Sequence, residues 1–150
     1  MSRIRKPILF FTTFLFIACA PKSPKVEKKE TKFLTIKIKG IEMKVEMAKN
    51  EEERVLGLKY RDSLPKNSGM LFIFEEEGIY PFWMVDTKIP LDIAFIDKNQ
   101  VIVDIQSMEP FSPILHKPNL PFLYALEVNQ GFFQEKGIKK GDTVFFGDEK

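Results

Sequence analysis

Sulfur and imidazole chemistry have almost no material in this chain: Cys19 is its only cysteine and His116 its only histidine. Since Cys19 closes an apparent leader segment, the folded part has no disulfide, thiol nucleophile or cysteine metal site to expect. A Ser-His-Asp triad or a histidine metal centre would have to use His116. That residue sits in the stretch 111–121, a loop broken by three prolines, where a lone histidine is expected as a solvated surface group. No metal site of the usual nitrogen or sulfur type is therefore expected, and no cofactor. Basic charge is scarce as well. From Phe33 onward 15 Lys and Arg stand against 19 Asp and Glu, a formal net of −4. With no basic stripe, nucleic acid is not an expected partner. Nor does any apolar run reach the roughly 20 residues of a comfortable membrane span.

The N-terminus has its own pattern. Arg3, Arg5 and Lys6 precede the short apolar run 8–18, which has signal-peptide dimensions. It ends in Phe16-Ile17-Ala18-Cys19, which resembles the lipobox of bacterial lipoproteins, with Phe16 in place of the usual leucine. Residues 1–19 are thus expected to be a lipoprotein signal peptide, with Cys19 lipidated. The protein would be exported and anchored at a membrane, facing the periplasm or cell exterior. Residues 20–32 carry five lysines against Glu27 and Glu30. They are expected to form a basic disordered tether that can lie against anionic headgroups. Residues 33–148 are expected to form one globular domain.

Within that domain period-two alternation dominates. Leu34, Ile36 and Ile38 alternate with Thr35 and Lys37. Ile41, Met43, Val45 and Met47 do the same beyond Lys39-Gly40, which predicts a hairpin. Asn50 with Glu53 forms a capping-box signal for a helix running to Lys59 or Tyr60. Such a helix would align Arg54, Leu58 and Arg61 in one stripe. Strands are expected at 70–74, 91–96, 101–106, 123–129 and 143–146. Glu75-Glu76-Glu77-Gly78 should be a solvated acidic turn, and Gly131–Gly137 a short helical turn. The fold class expected is mainly β (α+β): a small barrel-like or strongly curled antiparallel sheet with one main helix and a short second helical turn.

The stretch 80–96 is the centre of the chain, with the only tryptophan, Trp83, and an apolar strand bearing one carboxylate, Asp92. Glu127 is its counterpart on strand 123–129. A charge on such a strand must find a partner. Arg54 and Arg61 are the nearest partners by pattern. Trp83 is either a core ring or, with Tyr80 and Phe82, a stacking face. Arg61, Trp83, Thr87, Asp92 and Glu127 are the candidate ligand-binding residues. No catalytic set is assigned.

The ordered blocks Arg54-Val55-Leu56-Gly57-Leu58, Gly69-Met70-Leu71-Phe72, Phe82-Trp83-Met84, Ile89-Pro90-Leu91-Asp92-Ile93, Leu126-Glu127-Val128-Asn129 and Gly141-Asp142 resemble domain-of-unknown-function family 192 from Leu34 to Phe146. At Val85-Asp86 the chain departs from the Lys-Asn usual in that family. The resemblance implies a compact β-rich domain, often exported, without an established activity. The expected function is a lipid-anchored binding or accessory domain of the cell envelope. Its partner would be an unknown small molecule, a glycan or an envelope protein, besides the membrane held through Cys19. The alternatives are a glycan-directed hydrolase using Asp92 and Glu127 as paired carboxylates, or a structural charge network with a surface partner site.

Overall fold

The computed structural model of the chain describes residues 32–149; the expected signal peptide, Cys19 and most of the tether lie outside the described residues. Seven strands form one sheet: β1 (Phe33–Ile38), β2 (Ile41–Ala48), β3 (Ser68–Gly78), β4 (Leu91–Ile96), β5 (Ile102–Met108), β6 (Phe122–Asn129) and β7 (Val144–Glu149). Two short helices accompany them, α1 (Glu51–Leu56) and α2 (Phe132–Glu135). The order across the sheet is β5-β4-β6-β3-β2-β1-β7. Every neighbouring pair is antiparallel except β2 and β3, which run parallel with α1 in the crossover between them.

The sheet curls into a half-barrel. Val101 and Thr143 form an antiparallel bridge, and the Ile102 amide donates to the Asp142 carbonyl at 2.9 Å. The two outermost strands are thus stitched together at one end.

Curling gives the sheet two apolar faces of different kinds. On one, Ile36, Val45, Leu71, Ala94, Ile102, Val128 and Val144 pack with Phe132, Phe133 and Ile138. Ile102 and Val144 come from opposite ends of the strand order yet share this cluster, so it fills the concave face, with α2 as its plug. On the other face, Phe72, Leu91, Ile93, Phe95, Phe122 and Ala125 from the middle strands pack under Leu58, Leu64, Met84 and Ile89. Those four belong to the connections on either side of β3, so the outer core is roofed by loops. β4, central to both clusters, is buried at every position.

The local signals explain most boundaries. Lys39 and Gly40 both take positive φ, 50° and 82°, as a two-residue hairpin turn requires. Asn50 caps α1 with the full reciprocal capping box to Glu53. The helix is nevertheless shorter than its sequence suggests. Gly57 leaves the helical region at φ 49°, ψ −134°, and the turn it makes drops Leu58 into the outer core. A Cβ at Gly57 would sit 3.4 Å from the Phe72 ring in that left-handed conformation. The stripe of Arg54, Leu58 and Arg61 therefore does not form. Glu75, Glu76 and Glu77 are also not a turn: they extend β3 as an exposed run past a register shift against β6.

Candidate functional site

The outer layer holds a cavity of about 270 Å³. One wall is α1 and the turn after it, contributing Arg54, Val55, Leu56 and Lys59; the other is the central stretch, contributing Tyr80, Phe82, Trp83 and Thr87. β3 and β6 supply Phe72, Phe74 and Glu127. The walls are tied at one point. The Tyr60 amide donates to the Asp86 carbonyl at 3.0 Å, and the Tyr60 hydroxyl to the Asp86 carboxylate at 3.3 Å. Asp86 sits at φ 62°, a left-handed position that Asp and Asn tolerate better than other side chains. The central stretch is tied down on its far side too. Phe82 exchanges backbone hydrogen bonds of 2.8 Å with His116, and Phe111 donates to the Thr87 carbonyl at 3.0 Å.

The aromatic lining is ordered by ring contacts. Phe74 stacks on Tyr80 with centroids 4.1 Å apart and planes within 6°, and Phe82 meets Phe72 edge-on at 5.0 Å. The Arg54 guanidinium lies over Phe74, 5.1 Å from its centroid. Its Nη1 donates to the carbonyls of Lys49 at 2.7 Å and Ile73 at 3.0 Å. Those two acceptors fix the side chain against the sheet. Trp83 is not a core ring. Its neighbour Met84 is buried, and Trp83 stands 51% exposed at the cavity rim.

Glu127 is the decisive group. It is 5% exposed, and in register it lies between Met70 on β3 and Ile93 on β4. Among the described residues its carboxyl has no hydrogen-bond or ionic partner. No fully sealed side-chain oxygen or nitrogen among them lacks a partner, so the Glu127 oxygens must reach the cavity surface. Burial among apolar side chains pushes this carboxyl up to about 8, which leaves it mostly protonated at neutral pH. Thr87, also buried, lines the same cavity, and its hydroxyl has no protein partner among the described residues either.

Of the five residues singled out by sequence, the structure brings together Trp83, Thr87 and Glu127. It leaves out Asp92 and Arg61. Asp92 pairs in register with Val128, and Glu127 with Ile93, so the two carboxylates project from opposite faces of the sheet. Paired-carboxylate chemistry between them is ruled out by that geometry. Asp92 belongs to the concave side, where it accepts from the Ser107 hydroxyl at 2.7 Å and the Gly131 amide at 2.8 Å. It positions the start of α2.

The expected charge network is corrected as well. Arg61 pairs bidentately with Glu46, Nη2 to Oε2 at 2.7 Å, and this bond raises its pKa further. Arg54 is held by carbonyls, so neither arginine meets Asp92 or Glu127. His116, expected as a solvated surface group, is half-buried, its Nδ1 3.2 Å from the Gln106 side-chain oxygen. Sequence reasoning missed Phe72 and Phe74 as site residues. The signal was present: they sit two apart on β3, hence on one face, the one they share with Ala125 and Glu127.

No curated protein matches the chain. Two crystal structures resemble it, each with a TM-score of 0.72. One is a protein of Sinorhizobium meliloti 1021, provisionally named a transcription regulator, at 29% identity over 78% of this chain and 94% of that one. The other is a protein of unknown function from Novosphingobium aromaticivorans DSM 12444, at 28% identity over 90% of this chain and 99% of that one. The model of DUF192, described as an uncharacterised ACR, matches residues 34–146. The chain belongs to the DUF192 family.

Proposed function

We propose that the domain is a small-molecule binding module whose site is the outer cavity, with Glu127 as the polar group the ligand engages. One observation carries this reading: a buried carboxyl without a protein partner opens onto a cavity walled by aromatic rings. A carboxyl that no protein group engages is open to a ligand's hydrogen bond in place of water. Small-molecule sites are mostly apolar with a few placed polar groups, and 270 Å³ suits a ligand of about one ring. The name of the Sinorhizobium protein points instead to DNA, but a domain of formal net charge −4 offers little for phosphates.

A fragment screen by protein-observed NMR tests this. Binders should shift the Trp83 indole N–H and the Thr87 and Glu127 amides together. If shifts from every binder cluster elsewhere, or no fragment binds, the cavity is not a ligand site.

We further propose that the module is an exported lipoprotein. The support is the basic start, the short apolar run and the lipobox-like Phe16-Ile17-Ala18-Cys19. Fatty-acid labelling of the full-length chain should be lost in Cys19→Ser; label retained on that variant sinks the anchor.

A further inference from the structure

Both oxygens of the Glu127 carboxyl are open to the cavity. Neither has a protein partner, and among the described residues no fully sealed side-chain oxygen lacks one, so each must reach the cavity surface. Nor does a cation pair with them there. The Arg54 guanidinium is fixed on the Ile73 carbonyl, and Ile73 stands opposite Tyr124, three residues along β6 from Glu127, about 10 Å away. Arg61 is taken by Glu46. Burial is the influence left on the carboxyl, and it favours the protonated form. In that form the group offers one donor and one acceptor side by side.

The surroundings of this edge are flat and apolar. Phe72 stands opposite Ala125, two residues from Glu127 on the same face. Phe72 and Glu127 are therefore diagonal neighbours, roughly 7–8 Å apart, a span that an aromatic side chain bridges. Four of the rings lining the cavity lie against one another, Phe72 with Phe82 and Phe74 with Tyr80. The Trp83 indole meets no other ring among the described residues and stands half exposed at the rim.

Resting on the binding reading above, we propose that the cavity takes a small neutral planar ring of the lactam class, whose N–H and C=O lie side by side on one edge. The ligand N–H donates to one Glu127 oxygen, and its C=O accepts from the protonated other, a cyclic pair of hydrogen bonds. The rest of the ligand ring lies against Phe72 in place of water. Other headgroups match this edge less well. An alcohol has a single polar atom for two oxygens. A carboxylate has no donor for the second oxygen, and an amidinium has no acceptor for the carboxyl proton.

Titration of the protein at neutral pH with α-pyridone, N-methyl-α-pyridone and benzamidinium, followed by NMR at the Trp83 indole N–H and the Glu127 amide, tests this. α-Pyridone should bind, and methylating its nitrogen, which removes the donor, should weaken binding about tenfold or more. Glu127→Gln keeps a donor beside an acceptor and should keep α-pyridone. Glu127→Leu removes both and should abolish the difference between the parent and the methylated probe. The methylated probe needs no variant, so the comparison stands even where a variant misfolds. Equal binding of the two pyridones to the unaltered protein, or loss of α-pyridone in a folded Glu127→Gln, overturns the lactam edge. Benzamidinium that outbinds α-pyridone and is lost in Glu127→Gln overturns it too, and makes the cavity a cation site. If all three probes are silent while other fragments bind at Trp83, the lactam class alone falls. If the fragment screen is blank too, the binding reading falls with it.

Discussion

Asp92 and Glu127 are two acidic residues, each 5% exposed, on adjacent central strands. Asp92 opens onto the concave face, where a serine hydroxyl and the amide before α2 each supply a hydrogen bond. Glu127 opens onto the loop-roofed face and receives none among the described residues. The barrel interior is assembled from seven strands and has its polar groups matched. The outer layer is assembled from connections and leaves the Glu127 carboxyl and the Thr87 hydroxyl without protein partners among the described residues, beside a space. Equal burial therefore says little about role. What separates the two carboxyl groups here is the count of donors aimed at each.

The contrast is most exposed to attack through pH. Glu127 has an unfolded value near 4.5 and a folded value of about 8, so between these the folded state binds the extra proton. Its contribution to stability is complete below pH 4.5 and drains away as pH rises to 8. Integrated, the loss is roughly 4–5 kcal/mol at about 1.36 kcal/mol per unit. Glu127→Gln has no proton to release and should not show this loss. Urea melts of both proteins from pH 4.5 to 8.5 should give profiles that diverge steadily. Profiles that stay parallel would mean that the Glu127 carboxyl is hydrated or paired, and the two carboxylates would no longer differ.

A smaller effect probes the other member of the pair. Asp92→Ala removes both acceptors: the exposed Ser107 hydroxyl turns to water, but the Gly131 amide loses its partner. Bonds to charged groups are worth about 1.5–3 kcal/mol, and a loss near 2 kcal/mol is expected at neutral pH. Hydrogen exchange at the Gly131 amide should speed up in the same variant. An unchanged melt and an unchanged Gly131 amide would remove Asp92 from its structural role.

Much of the fold was legible because its causes are local. Lys39-Gly40 announces its turn, Asn50 with Glu53 announces its helix, and strict alternation announces β1 and β2. The half-barrel class followed from the number and spacing of such segments. The two carboxylates could be singled out, since a charge within an apolar alternation stands out wherever it occurs. Their partners could not. Ser107 and Gly131 reach Asp92 across 15 and 39 residues of sequence, and carbonyl groups, which every residue has, took Arg54 away from the carboxylates. Parity along two strands also could not show that Asp92 and Glu127 face apart, because that depends on the register between β4 and β6. Gly57 was visible but ambiguous: a glycine can sit inside a helix or end it, and only the turn that carries Leu58 into the outer core shows which.

One detail of the sheet reaches beyond the site. β1 enters and β7 leaves as neighbours, with Leu34 opposite Glu149, so the two ends of the described domain are a strand spacing apart, about 5 Å. A fold whose ends coincide can be spliced into a longer polypeptide or hung from one without separating the segments on either side. It lends its host a module and adds almost nothing to its reach.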